Sequence, residues 1–200
     1  DLFTAMPTST AIANGITIAQ GLLPAGNEAR VINNLISFKT GLGTFAGIQL
    51  TSGGNAVIYH NTISMENPAA ATTNFITTKG IEITSSGTTN TNIRNNIVTI
   101  SRGGPAVKAC IYFNGTYFGI CDYNNFYISS TVGTTNYLGY YFGGTFNLSS
   151  WQINSNNVWD MNSKSVDPFF QNSAANNYIP SNINIDNVGA NAGITTDLDG

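Results

Sequence analysis

Charge is what this chain most lacks. Lys, Arg, Asp and Glu together make up 8% of its 200 residues, against about 25% in an ordinary soluble domain. The net charge is -3, with seven Lys+Arg in all and no basic run. That excludes the electrostatic footprint of a nucleic-acid or anionic-membrane binder and disfavours tight binding of polyanions. Long apolar runs are missing as well. Nothing approaches the roughly 20 residues of a membrane-spanning helix, so membrane insertion is not expected. No basic start followed by an apolar stretch marks a signal peptide. Cysteine is scarce: Cys110 and Cys121 are too few for a disulfide scaffold and form either one bridge or two buried thiols, with thiols favoured. No His/Cys cluster has zinc spacing and no phosphate loop occurs, so no metal and no cofactor are expected.

Asparagine is what the chain has instead, 28 in all, together with abundant Ser, Thr and Gly. An apolar fraction of 42% is too high for a disordered polar tract. Two hundred residues suit one folded domain, or one module of a longer protein, with a sizeable core and a polar, uncharged surface.

The asparagines recur in pairs. "RVINNLISF" (30–38), "VIYHNTISM" (57–65), "NIRNNIVTI" (92–100) and "CDYNNFYIS" (121–129) align without gaps, with Asn34, Asn61, Asn96 and Asn125 in one column. Their intervals are 27, 35 and 29 residues. A weaker fifth copy, "INSNNVWDM" (153–161), offers Asn157. A second motif alternates with the first: "GITIA" (15–19), "GIQLT" (47–51), "GIEIT" (80–84), "CIYFN" (110–114) and "GYYFG" (139–143). Two motifs sharing one period near 30 are the signature of a repeat architecture.

Within each second motif the apolar residues alternate, as in Ile16/Ile18, Ile48/Leu50, Ile81/Ile83 and Ile111/Phe113. That is strand periodicity. At least two strands in about 30 residues fit one coil of a parallel β-solenoid, whereas a propeller blade needs about 40–45. The expectation is an all-β, right-handed parallel β-helix of about five coils with an asparagine ladder. Asn at a bend bonds its own backbone and tolerates the left-handed region, and stacked copies bond one another. The expected ladder is Asn34–Asn61–Asn96–Asn125, with Asn33–His60–Asn95–Asn124 beside it. His60, the sole histidine, is thereby read as a ladder member rather than a catalytic base. Residues 1–150 are read as the coils, and 151–200 as a closing or capping segment of the same domain.

These repeats resemble the right-handed parallel β-helices of the pectate-lyase-like superfamily. "WQINSNNVWDMNSKSVDPFF" (151–170) and "NNYIPSNINIDNVGANAGITTDLDG" (176–200) look like the closing segment of β-helix regions in large secreted or cell-surface bacterial proteins, especially of Bacteroidota. The features shared with that family fall on Trp151, Asp160, Asn162, Ser163, Asp167, Pro168, Phe170 and the Asp197–Gly200 end. The resemblance implies a secreted or surface location and neighbouring domains of a longer chain as partners. The abrupt start at Asp1 and the stop at Gly200 fit excision from a larger protein. Some family members are polysaccharide lyases or hydrolases and many are adhesin-like, so the fold alone does not fix the activity.

With the isoleucines inward, the outward columns are Thr17, Gln49, Glu82, Tyr112 and Tyr141 on one strand, and Ile32, Tyr59, Arg94 and Tyr123 beside the ladder. The candidate ligand-binding residues are Tyr59, Glu82, Arg94, Tyr112, Tyr123 and Tyr141. Tyrosines could stack on sugar faces while Glu82 and Arg94 hydrogen-bond; alternatively, stacked tyrosines only stabilise neighbouring strands. The available acids and bases, Glu66, Glu82, Arg94, Lys108, Asp122 and Asp160, form no clear pair of carboxylates at glycosidase spacing. The alignment turns Asp122 inward, where burial would raise its pKa. Catalysis is disfavoured. The leading expectation is a non-catalytic adhesin-like or glycan-binding module recognising a polysaccharide or cell-surface glycan. The alternatives are a polysaccharide lyase or glycoside hydrolase, and a purely structural spacer. "DLDG" (197–200) lacks the later ligands of a calcium loop. The insertion at 66–80 is expected to fold over the coil beside Tyr112.

Overall fold

The structure, a computed structural model, describes residues 11–19, 23–24, 26–52, 55–68, 77–84, 91–114, 119–130, 135–156 and 158–195. The chain repeats one three-strand path. The first passage is β1 (Ala13–Ala19), β2 (Ala29–Ile32) and β3 (Leu35–Phe38). The second is β4 (Phe45–Ser52), β5 (Ala56–Tyr59) and β6 (Thr62–Met65). The third is β7 (Thr78–Ile83), β8 (Asn92–Arg94) and β9 (Ile97–Ile100), and the fourth is β10 (Lys108–Phe113), β11 (Ile120–Asp122) and β12 (Asn125–Ile128). β13 (Asn136–Tyr141) rejoins the first sheet, and β14 (Gly144–Phe146) turns back antiparallel against it. Helix α1 (Leu148–Asn154) follows, then a hairpin of β15 (Phe170–Asn172) and β16 (Asn177–Pro180).

Like strands stack on like in parallel. The first sheet has the order β1-β4-β7-β10-β13-β14, the second β11-β8-β5-β2 and the third β12-β9-β6-β3. The molecule is therefore the expected parallel β-solenoid, but its four stacked rungs span about three turns rather than five. The segment aligned as a fifth copy forms no coil. It enters α1, whose start is capped by Asn147 and Ser150 in reciprocal side chain–backbone bonds, and Asn157 lies outside the described residues. No helix among the described residues is long and apolar enough to cross a membrane.

The core consists of the inward columns. Ile48, Ile81 and Ile111 are fully buried, as are Ile58, Ile93 and Cys121 in the second sheet and Ile63, Val98 and Phe126 in the third. The motif glycines have a steric reason. A Cβ on Gly47 would lie 2.7 Å from the Gly80 carbonyl oxygen in the next rung and 2.5 Å from Ile63. Both cysteines are free and buried.

Two late copies sit one residue away from the ungapped alignment. Cys121 pairs with Ile93 and Asp122 with Arg94, so the ladder residue of the fourth rung is Asn124, not Asn125. Tyr123 takes the left-handed corner, with φ 60° against 56° at Asn33, 55° at His60 and 57° at Asn95. Asp122 accordingly belongs to the outward column and Cys121 to the inward one. The expected register would have buried a carboxylate in place of a thiol, at several kcal/mol. Likewise Tyr140, not Tyr141, pairs with Tyr112. A one-residue slip exchanges the two faces of a strand, and Tyr141 turns toward the core, its ring 5.3 Å from that of Trp159. Gly139 then stands where a Cβ would clash with the Trp151 indole; the glycine there admits the tryptophan that covers the end of the core.

Candidate functional site

The six candidate residues are divided between faces. Tyr59 and Arg94 are neighbours in the outward column of the second sheet, followed by Asp122. Both Asp122 oxygens are occupied: Oδ1 accepts from the backbone N–H groups of Tyr123 (2.9 Å) and Asn162 (2.7 Å), and Oδ2 from Asn162 Nδ2 (2.8 Å). Glu82 and Tyr112 are on the first sheet. Glu82 is buried and accepts from Gln49 Nε2 at 2.8 Å and from Lys79 Nζ. Lys79 also lies 4.3 Å above the Tyr112 ring. The opposite face of that ring stacks on Tyr140 at 4.2 Å and an interplanar angle of 2°. Burial, with Tyr140 and Glu82 adding to it, pushes the Tyr112 phenol up to about 12. Both ring faces and both Glu82 oxygens are thus engaged inside the protein, which is the arrangement of a cross-strand stabilising stack. Lys108, a candidate base, is buried and donates to the carbonyls of Gly104 and Ala106. Arg102, which sequence patterning gave no reason to single out, is buried over Phe45 and donates to Thr78 Oγ1 and Gly41 O.

The asparagine ladder is directional. Asn34 donates from its backbone N–H (3.1 Å) and Nδ2 (2.9 Å) to Asn61 Oδ1. Asn61 donates in the same two ways to Asn96 Oδ1, at 3.0 and 2.9 Å, and Asn96 to Asn124 Oδ1, at 3.0 Å each. Every amide dipole points the same way. The donor series ends on Asp160, whose Oδ1 accepts from Asn124 Nδ2 (3.1 Å) and Ser163 Oγ, and whose Oδ2 accepts from Trp151 Nε1 (2.9 Å). Burial raises the Asp160 pKa, while these donors oppose the shift. The closing motif Trp151…Asp160…Ser163 therefore terminates the ladder. At the other end, no donor among the described residues reaches Asn34 Oδ1.

That end opens into a groove of about 650 Å³. Its floor is the outward column of the third sheet, Leu35, Thr62 and Ile97; one wall is the corner column Asn33, His60 and Asn95, and the other is residues 176–180. The second wall is held firmly. Tyr178 donates its hydroxyl to Glu66 and bonds Ser37 at 2.6 Å, and Lys39 Nζ donates to the carbonyl of Ser173 at 2.6 Å. Beyond it, Asn95 clasps Ala190, accepting its N–H at 2.9 Å and donating to its carbonyl at 2.7 Å. A smaller cavity of about 170 Å³, lined in part by Tyr123, Lys164 and Val188, continues past this clasp.

Comparison of the chain with protein-family models, with curated proteins and with solved structures gave no match. The site must therefore be interpreted from its own chemistry. Among the described residues, no carboxylate or cation lines the larger groove, and no three His, Cys, Asp or Glu side chains are placed to hold a metal ion. Sequence reasoning identified the corner column but not the groove, because its second wall arrives from about 80 to 150 residues away. The insertion tip at 69–76 and the "DLDG" turn lie outside the described residues.

Proposed function

We propose that this chain is a non-catalytic, extracellular β-helix module, adhesin-like or glycan-binding, within a larger secreted or surface protein of the Bacteroidota type, and that the groove beside the corner column is its binding site. The observation that carries this reading is the lining itself: amides, one imidazole and the hydroxyls of Thr62 and Tyr178 over a mostly apolar floor. A shaped, mostly apolar cleft with a few polar groups suits a small neutral ligand. The resemblance of the repeats and of the closing motif to pectate-lyase-like β-helices supports the extracellular setting. The engagement of Glu82, Asp122 and Lys108 by neighbouring groups supports binding over catalysis. The test is a glycan array with the purified chain, alongside turnover assays on a polysaccharide panel. Binding without turnover is the expected result. Turnover of any polysaccharide would replace this reading with a lyase or hydrolase, and the absence of all binding would leave a structural spacer.

A further inference from the structure

Resting on the groove as the binding site, we infer its ligand class: a neutral oligosaccharide, selected by Asn34 Oδ1 as acceptor, His60 Nδ1–H as donor and the Thr62 hydroxyl as either.

These three atoms, on the floor and first wall of the groove, meet no hydrogen-bond partner among the described residues. Asn34 Oδ1 is unused because the ladder is directional and Asn34 is its first member: every later Oδ1 in the ladder accepts from the preceding asparagine, and nothing among the described residues precedes Asn34. The His60 tautomer follows from the clasp. Ala190 presents a backbone N–H and a backbone carbonyl, and these fix which end of the Asn95 amide is oxygen and which is nitrogen. Asn95 Nδ2 is therefore the atom 3.1 Å from His60 Nε2. Because Nδ2 can only donate, Nε2 must accept, and the ring proton resides on Nδ1. No residue among those described accepts it, and none bonds the Thr62 hydroxyl. Asn34 is on one rung and His60 and Thr62 are on the next, about 4.8 Å away. Leu35 and Ile97 on either side of Thr62 supply apolar contact for the C–H face of a sugar ring.

Selection against acidic sugars follows from the same lining. A uronate carboxylate in this groove would leave water without meeting a cation, because Lys39 is held by backbone carbonyls outside the lining and Lys164 belongs to the smaller cavity. A buried, unpaired charge is far more costly than an unpaired hydroxyl.

The test is an amide NMR titration of the full chain with neutral gluco-, manno-, galacto- and xylo-oligosaccharides, and with size-matched oligogalacturonates. At least one neutral series should shift the amides of residues 33–35, 60–62 and 176–180, and the oligogalacturonates should not. Thr62→Val, which removes one hydroxyl at nearly constant volume, should weaken binding about three- to tenfold, the equivalent of one net hydrogen bond. Thr62→Ser should restore it, and Tyr112→Ala on the first sheet should leave it unchanged. Equal or tighter binding of the acidic series, or unchanged affinity in Thr62→Val, would overturn the inference. Shifts confined to the Tyr112 and Tyr140 face would overturn it as well, while leaving a glycan-binding module standing. Shifts with no oligosaccharide at all would remove both readings.

Discussion

Replacing Asn96 with Ala should be among the most damaging single changes outside the apolar core, and replacing Asn34 among the mildest, although both occupy the same column. Asn96 is 1% exposed. Its Nδ2 donates to the carbonyls of Ile58 and Arg94 and to Asn124 Oδ1, and its Oδ1 accepts two bonds from Asn61. Truncation leaves the buried Asn61 N–H without its acceptor, at about 1–3 kcal/mol, and removes several further bonds each contributing about 0.5–1.5 kcal/mol net. The Arg94 carbonyl still accepts from His60 N–H, and Asn61 Nδ2 keeps Val31 O, so the sum is limited to about 3–5 kcal/mol. Asn34 is half-buried, and truncating it removes bonds only to Ile32 O and Asn61 Oδ1 and orphans no upstream donor. Its cost should be about 1 kcal/mol. Urea unfolding followed by far-UV circular dichroism, with m-values compared to confirm that the same structure is lost, measures both. If Asn34→Ala and Asn96→Ala agree within about 0.5 kcal/mol, the ladder does not have the one-way bonding that also leaves Asn34 Oδ1 open to the groove.

Three further outcomes can be checked on the same material. Ile81→Ala, a fully buried truncation, should lower the unfolding free energy by about 2–5 kcal/mol, and Tyr112→Ala, whose ring lies outside the sheet, by clearly less; equal losses in urea melts would refute the inward and outward columns. Burial lowers the His60 pKa, so the folded state resists protonation while the unfolded chain binds a proton below about pH 6.5. Stability should then fall as the pH drops below that value. Exchange of the Ala190 amide should quicken there too, since a proton on Nε2 would confront Asn95 Nδ2, and pH-independent exchange rates after correction for intrinsic chemistry would count against the clasp. Burial pushes the Cys110 and Cys121 thiols upward; in native protein neither should react with a thiol-specific reagent at neutral pH, and both should react in urea.

The sequence pattern revealed most where a column has strong chemical identity. Gly47, Ile48 and Leu50 on one strand, or Asn61 beside Thr62 at a corner, announce both the period and the face, and the coordinates keep those assignments. Pattern failed where two adjacent residues of the same type allowed a choice. Asn124 and Asn125 each complete an asparagine column on paper, as Tyr140 and Tyr141 each complete a tyrosine column. What decides between them is three-dimensional: whether Cys121 or Asp122 faces the core, and whether Gly139 leaves room for the Trp151 indole. The groove was invisible for a different reason. Its floor is periodic, but its second wall is an aperiodic segment placed by single contacts such as Tyr178 to Ser37, 141 residues apart.

That segment also changes how the stack should hold together. In a pure solenoid each rung touches only its neighbours, and stability is close to a sum of local terms. Here the chain after α1 bonds the fourth rung through Asn125 and Val166, at 2.9 and 3.1 Å, then reaches Lys39 and Ser37 beside the first rung and Glu66 beside the second. It returns to the third rung at Asn95. Opening any one rung therefore strains a segment that is bonded to the other three, so the coils are coupled beyond nearest neighbours. The coupling matters most at the first rung, where β1, β2 and β3 are edge strands and the ladder has an acceptor that no donor among the described residues reaches. A bare edge there would fray; the returning segment restrains it while leaving the space between itself and the third sheet unfilled. The contacts that compensate for the weak end of the ladder are thus the ones that create the groove.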